Sequence, residues 1–198
     1  MVPEFPWHVH PDLTQDRLIF IGQLLYLARS NALARYNEEI GDDGWTLGCC
    51  AFQFSRFEIL KAASTGEHPW LTIEDSSKHL IFKVGEVPVR FYRGESDDPN
   101  PRTLAQSFPE LEQLDLAFPG EDDRHNLLYR FAVETDIDGS VLEVKFVGLR
   151  GPTAALCWTV PLDKSIPPLV AMGEPMEGVE LLAPVVEVPG KKRETKPE

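Results

Sequence analysis

Hydrophobic residues in the first third of the chain recur every three or four positions, the spacing of amphipathic helices. The pattern predicts one helix from Asp12 to about Tyr36, with an apolar face made by Leu18, Ile21, Leu24, Leu25 and Ala28. It predicts a second helix from Leu47 to Ala63, with Phe54, Phe57 and Leu60 on the inner face. Few polar residues interrupt the start of the first helix, so we expect it to be central in the fold.

Beyond Pro69 the spacing of apolar residues changes to every second position, which is typical of β-strands. Strands are predicted at Trp70 to Asp75, His79 to Val84 and Val87 to Arg93. The last two flank Gly85-Glu86, a sequence suited to a two-residue type II′ hairpin turn because glycine adopts a positive φ at little cost. That turn predicts the cross-strand pairs Leu80 with Phe91, Phe82 with Val89, and Val84 with Val87.

A second hairpin is predicted from Asn126 to Thr135 and from Val141 to Leu149, around Asp138-Gly139 as a type I′ turn. Strand alternation divides its side chains between two faces. The predicted inner face contains Leu127, Tyr129, Phe131, Val133, Thr135, Leu142, Val144 and Phe146. The predicted outer face contains Glu134, Asp136, Glu143 and Lys145. One more strand is predicted from Ala154 to Val160.

These elements predict an α+β fold in which two N-terminal helices pack on a mainly antiparallel sheet of five or six strands. A capping-box sequence predicts a short helix from Ser107 to about Leu116, between the hairpins. Frequent prolines after Pro161 predict an irregular C-terminal segment. We therefore expect a single domain over residues 1–188 and a disordered charged tail over residues 189–198.

Composition restricts the classes of function. The chain has 198 residues, of which 42% are hydrophobic and 26% charged, and its net charge is -13. Such a charge opposes generic binding to nucleic acid or anionic lipid. No apolar run approaches the ~20 residues of a membrane helix, and the N-terminus lacks the pattern of an export signal. Three cysteines without a framework spacing fit a reducing compartment, so we expect a cytoplasmic protein without a membrane partner.

The second hairpin contains the strongest catalytic pattern. Asp136 or Asp138 followed by Glu143-Val144-Lys145 resembles the D...ExK arrangement of the PD-(D/E)XK nucleases. The resemblance implies a metal-dependent phosphodiesterase, with Asp136, Asp138, Glu143 and Lys145 as catalytic residues. Glu134, Asp136 and Glu143 would be ligands of Mg²⁺ or Mn²⁺. The competing interpretation, which requires no cofactor, is a solvated outer strand face.

The first hairpin carries cations beside an aromatic residue in an otherwise acidic chain. Lys83, Arg90, Tyr92 and Arg93 form a candidate partner-binding patch, because arginine and tyrosine are enriched at interaction hot spots. The alternative is that the cations form surface ion pairs with Glu74, Glu95, Asp97 or Asp98.

Three segments resemble a group of uncharacterised bacterial proteins associated with toxin–antitoxin and phage-related gene pairs. They are Gly44-Trp45-Thr46-Leu47-Gly48, His68-Pro69-Trp70-Leu71 and the run from Val87 to Gly94. The resemblance implies that a protein partner matters. The leading hypothesis is therefore an interaction or regulatory protein of such a module, whose partner is the adjacent gene product. The alternatives are the metal-dependent nuclease and an acidic mimic of nucleic acid.

Overall fold

The computed structural model describes residues 5–106 and 127–169. Its helices are α1 (Pro6–Val9), α2 (Gln15–Arg35), α3 (Gly44–Ser64) and α4 (Pro101–Leu104), with a 3₁₀ turn at Glu38–Ile40. The two predicted N-terminal helices, α2 and α3, are confirmed. The helix predicted from Ser107 to Leu116 lies outside the described residues, as does the tail over residues 189–198. Residues 161–169 contain no helix or strand.

Helix α3 begins three residues before its predicted start because Asp43 caps it. The Asp43 Oδ1 atom accepts a hydrogen bond from the backbone N–H of Thr46 at 2.8 Å. This bond satisfies an N–H group that has no partner within the helix. It also lowers the pKa of Asp43 below its ordinary value, so the ionised carboxylate favours the folded helix.

Six strands form one mixed sheet. They are β1 (Leu71–Asp75), β2 (Ile81–Val84), β3 (Val87–Arg93), β4 (Leu128–Thr135), β5 (Val141–Arg150) and β6 (Thr153–Thr159). The strands lie in chain order across the sheet, and every neighbouring pair is antiparallel except β3 and β4. The predicted mainly antiparallel α+β fold is confirmed. The parallel pair was not predicted; it requires the chain to cross from one end of the sheet to the other between Arg93 and Leu128.

The first hairpin has the predicted turn and register near its tip. Gly85 has a φ of 63°, and Phe82 pairs with Val89 and Val84 with Val87. The pairing ends there: the β2–β3 register does not include the predicted pair of Leu80 and Phe91. Strand β3 therefore continues for four residues beyond its last partner in β2.

The second hairpin has a longer turn than predicted. Among the described residues, no residue other than glycine has a positive φ, so Asp138 does not meet the requirement of a type I′ turn. The Gly139 N–H donates to the Asp136 carbonyl at 3.0 Å, and Gly139 has a φ of 84°. These features describe a three-residue loop with glycine in the left-handed position.

The longer loop changes which residue near the turn faces inward. Thr135 pairs with Val141, while Glu134 pairs with Glu143, so a bulge separates the two pairs. Val141 is buried and Leu142 is 48% exposed, so the predicted inward position of Leu142 is wrong. Beyond the bulge, Phe131 pairs with Phe146 and Val133 with Val144, and all four lie on the predicted inner face.

The main core lies between the helices and one face of the sheet. It joins helical and strand residues that are fully or almost fully buried, among them Leu18, Ile21, Leu25, Ile59, Phe82, Phe131 and Phe146. A smaller cluster of Leu128, Val147 and Leu149 lies on the other face, where Leu104 of α4 and Tyr92 pack against it. The sheet therefore buries residues on both faces.

Two helical glycines provide a matched stability test. A Cβ atom at Gly22 would come within 2.6 Å of Cγ1 of buried Val160, whereas one at Gly48 would meet nothing within 4 Å. We expect Gly48→Ala to stabilise the protein by about 0.5–1 kcal/mol through helix propensity. We expect Gly22→Ala to destabilise it by about 1 kcal/mol because overpacking exceeds that gain. Urea unfolding monitored by circular dichroism measures both; equal changes would contradict the packing around Gly22.

Candidate functional site: a cationic cleft beside strand β3

A cleft of about 550 Å³ opens where β3 continues past the end of β2. Its walls come from the N-terminal half of α3, the connection between β1 and β2, and the last four residues of β3. The remaining lining comes from α2 (Leu25 and Arg29), from β4 (Arg130 and Val133) and from the segment that follows β3 (Asn100 and Thr103). The missing continuation of the β2–β3 ladder is therefore what leaves this space beside the sheet.

Basic side chains dominate the polar lining of the cleft. They are Arg29, Lys78, His79, Arg90, Arg93 and Arg130. Within the part of the chain that the structure describes, no aspartate or glutamate lines it. In a protein with a net charge of -13, this is a local reversal of sign, and such a cleft concentrates anionic groups.

Arg29 and Arg93 place two guanidinium groups near each other. Arg29, on α2, is only 3% exposed, and its Nε donates to the carbonyl of Gly139 at 2.9 Å. Burial first, and then the positive charge of Arg93, lower the pKa of Arg29 below its ordinary value. Both arginines remain charged at neutral pH, so the two side chains repel each other. An anion bound between them would relieve that repulsion.

Two further arginines come from neighbouring positions of the parallel strands. Arg90 pairs with Arg130 in the β3–β4 register. Arg130 is 1% exposed and donates through Nε to the Thr103 carbonyl at 3.3 Å. Arg90 donates to the Ala105 carbonyl at 3.2 Å. These bonds hold the segment after β3 against the face of the sheet opposite the main core, so Arg90 and Arg130 contribute positive charge to the cleft from that side of β3.

Aromatic rings supply the apolar part of the site. The rings of Phe52 and Phe91 lie 5.4 Å apart between centroids and connect α3 to β3. Trp45, in the first turn of α3, lines the cleft and is 76% exposed. An exposed tryptophan beside arginines has the composition of an interaction hot spot.

Tyr92 lines the cleft but is fixed in place. Its hydroxyl donates to the carbonyl of Glu95 at 3.1 Å. Burial, and then the negative charge of Glu134, raise the pKa of Tyr92 to about 12. The phenol is therefore neutral at physiological pH and contributes contact area and a hydrogen bond rather than charge.

The structure brings together three of the four residues predicted for partner binding. Arg90, Tyr92 and Arg93 line the cleft. Lys83 does not; its Nζ lies 2.9 Å from a carboxylate oxygen of Glu74 on β1. The predicted patch lacks Arg29, Arg130 and Trp45, which also line the cleft. The position of Arg29 is recognisable in the sequence. It follows Leu18 and Leu25 at helical spacing, so it places a charged residue on the face of α2 that is predicted to be buried.

The predicted catalytic residues occupy the second hairpin, in two separate arrangements. Asp136 and Asp138 bind backbone N–H groups of the turn: Asp136 Oδ1 accepts from Ile137 at 2.7 Å, and Asp138 Oδ1 accepts from Ser140 at 2.8 Å. The bond from Ser140 lowers the pKa of Asp138 below its ordinary value. Both carboxylates therefore stabilise the turn in this structure.

Lys145 lies between Glu143, the remaining predicted catalytic carboxylate, and Glu134, a predicted metal ligand. Its Nζ is 2.8 Å from a carboxylate oxygen of Glu134 and 3.2 Å from one of Glu143. Glu134 is 6% exposed and also accepts from the backbone N–H of Ser96 at 2.9 Å. Burial opposes its ionisation, but the hydrogen bonds from Lys145 and Ser96 lower the pKa of Glu134 below its ordinary value. Lys145 thus supplies the positive charge that a bound metal ion would supply between these carboxylates.

Of the predicted metal ligands, Glu134 and Glu143 both contact Lys145, whereas the Asp136 carboxylate accepts a hydrogen bond from the turn. In the described ranges, no three histidine, cysteine, aspartate or glutamate side chains are arranged to hold a metal ion.

Comparisons with protein-family models, with curated proteins and with solved structures found no match. In the two described ranges, none of the helices combines the length and the apolar character needed to cross a bilayer.

Proposed function

We propose that this protein is an interaction module that binds an acidic partner protein in the cationic cleft. The observation that carries the proposal is the reversal of charge: six basic residues and no described acidic residue line a cleft in a strongly acidic chain. Such an arrangement selects a local acidic segment, while the acidic remainder of the surface repels long polyanions such as nucleic acid.

The setting we propose is a regulatory or defence module of the toxin–antitoxin or phage-related kind, with the adjacent gene product as the partner. This part of the proposal rests on the resemblance of the segments at Gly44–Gly48, His68–Leu71 and Val87–Gly94. Two of these segments contribute residues to the cleft, among them Trp45, Gly48 and Arg93. The resemblance and the cleft therefore concern the same part of the surface.

Charge reversal at Arg93 tests the proposal with short poly-L-glutamate as the probe. We expect Arg93→Glu to weaken binding by at least about tenfold, because it replaces attraction by repulsion at the exposed end of the cleft. The matched control is Lys83→Glu, which makes the same charge change outside the cleft and should leave the affinity within about twofold. Isothermal titration calorimetry at low ionic strength measures both affinities.

Salt and competitor controls make the result decisive. Binding should weaken as salt rises, since screening shortens the Debye length from about 30 Å at 0.01 M to about 8 Å at 0.15 M. Absence of poly-glutamate binding to the unmodified protein, or equal losses in the two variants, would contradict the proposal. Tighter binding of a DNA oligonucleotide of equal charge would also contradict it, because a nucleic-acid ligand would then be favoured.

A further inference from the structure

Strand β3 has a free edge at the base of the cleft. Its pairing with β2 ends at Val89, whereas its pairing with β4 continues from Val89 to Arg93. Over its last four residues, β3 therefore has a strand partner on one side only among the residues that the structure describes. A central strand of the sheet becomes an edge strand at this point, and edge strands are templates for pairing with another chain.

The hairpin register determines which backbone groups face the cleft. In a hairpin with a two-residue loop, Val84 and Val87 exchange hydrogen bonds, and the alternation makes Phe82 and Val89 the next bonded pair. By the same alternation, the N–H and C=O groups of Phe91 and Arg93 point towards the β2 side. The backbone groups of Arg90 and Tyr92 point towards β4. Gly94, which follows at the same alternation, agrees with this, because its N–H donates to the Val133 carbonyl of β4 at 3.2 Å.

No strand of the described chain occupies that side of Phe91 and Arg93. The nearest upstream segment turns instead of extending, since the Leu80 N–H donates to the Ser77 carbonyl at 3.2 Å. Within the two described ranges, no backbone hydrogen bond joins residues 76–80 to Phe91 or Arg93. The N–H and C=O groups of Phe91 and Arg93 thus face the cleft with the spacing and direction needed to pair with one more strand.

The side chains around this edge favour an added strand that carries acidic residues. Arg93 shares the helix-facing side of β3 with Phe91, because side chains alternate along a strand. A residue added opposite Arg93 would point to the same side, towards Arg93 and Arg29, whose charges already influence each other. A residue added opposite Phe91 would meet the paired rings of Phe52 and Phe91. An acidic side chain suits the first position and an apolar or neutral one the second.

We propose that the acidic segment of the partner binds in extended form and adds a β-strand to the edge of β3 at Phe91–Arg93. This inference rests on the proposed function and specifies its mode of recognition. The backbone supplies affinity through main-chain hydrogen bonds, and the arginines supply specificity for the acidic side chains. A free phosphate compound would satisfy the arginines but could not donate to the backbone carbonyls at the edge, so a polypeptide fits the site better.

Amide hydrogen exchange of the unmodified protein tests this mode. The probe is a decapeptide in which glutamate and valine alternate along one face of an extended strand and serine fills the other face, so that glutamate can lie opposite Arg93 and valine opposite Phe91. At a concentration of about 100 times its Kd, exchange of the Phe91 and Arg93 amides should slow by up to about 100-fold. Arg90 and Tyr92 are matched controls on the same strand, because their amides already face β4 and should change little.

An N-methylated decapeptide separates strand addition from simple charge attraction. Methylation of the alternate amides that face the edge removes hydrogen-bond donors without changing charge, and it should weaken binding by at least about tenfold. Methylation of the intervening amides should leave binding nearly unchanged. If Arg93→Glu abolishes binding while the Phe91 and Arg93 amides stay unprotected and both methylated peptides bind equally, strand addition is wrong and the acidic-partner proposal stands.

Two other outcomes would contradict strand addition, and the first would also contradict the proposed function. If neither the decapeptide nor poly-glutamate binds, the proposed function fails together with its mode. If inorganic triphosphate binds more tightly than the decapeptide and displaces it, the cleft is a phosphate site and strand addition is wrong.

Discussion

Replacing Phe146 with alanine is expected to lower the free energy of unfolding by about 4 kcal/mol, within the range for fully buried phenylalanines. Phe146 is 0% exposed at the centre of the main core. Its ring lies 5.0 Å from that of Phe131 and 5.7 Å from that of Tyr129, centroid to centroid. Removal of the ring loses both aromatic contacts and leaves a cavity that rigid strands on either side cannot fill.

Leu142 on the same strand provides the control for Phe146. Because Leu142 is half exposed, Leu142→Ala should change stability by no more than about 0.5 kcal/mol. Urea unfolding followed by circular dichroism gives both values, and an unchanged slope would show that the unfolded states are comparable. If Phe146→Ala does not fold, Phe146→Leu can be measured instead, and it should lower the free energy of unfolding by about 1–2 kcal/mol. A loss for Phe146→Leu no larger than that for Leu142→Ala would contradict the described core.

The two hairpins show how far turn sequences determine a sheet. Gly85-Glu86 fixed the register of Phe82 with Val89 because a two-residue loop leaves no freedom in the pairing. Asp138-Gly139 predicts the same loop length, but the loop in the structure is one residue longer. The Asp138 carboxylate stabilises this longer turn by accepting a hydrogen bond from the Ser140 N–H. The extra loop residue leaves Leu142 exposed. The bulge then restores the expected register from the Glu134–Glu143 pair onward, so Phe146 lies on the predicted inner face.

The cleft depends on long-range pairing that residue patterns do not encode. Tyr92 and Arg93 are recognisable as a candidate patch from local sequence alone. Their position in a cleft requires the parallel pairing of β3 with β4, which follows a crossover rather than a hairpin. Arg29 joins them from α2, across more than 60 positions of sequence. Its location on the buried helical stripe indicates an interior role but not the place where α2 meets the sheet.

Replacing Lys145 with methionine is expected to lower the free energy of unfolding by about 3 kcal/mol at neutral pH, at the low end for loss of one partner of a buried ion pair. The Lys145 ammonium pairs with the Glu134 carboxylate, which is almost fully buried. Methionine fills similar volume but leaves that carboxylate without its 2.8 Å partner. Glu143→Gln is the control, because Glu143 is about half exposed and its pair with Lys145 should be worth less than about 1 kcal/mol.

The stability lost in Lys145→Met should increase as the pH rises. In the unmodified protein the pKa of Glu134 is below its ordinary value of 4.5, so its stabilisation is present above that pH and disappears as the pH falls through the folded value. In Lys145→Met, burial without the ammonium raises the pKa of Glu134, so the variant loses stability as the pH rises. The gap between the two proteins should therefore widen above pH 4.5. A gap independent of pH would contradict the role assigned to the Glu134–Lys145 pair.

A double variant and a metal titration separate this structural role from the catalytic alternative. Glu134→Gln combined with Lys145→Met removes both charges, and it should recover most of the stability lost in Lys145→Met, since an uncharged pair carries no uncompensated buried charge. If Lys145 instead serves a metal-dependent nuclease site, millimolar Mn²⁺ should raise the melting temperature of the unmodified protein, and Glu143→Ala should abolish that rise. We expect no such rise, because the Lys145 ammonium already lies within 3.2 Å of both carboxylates and would repel a divalent cation placed between them.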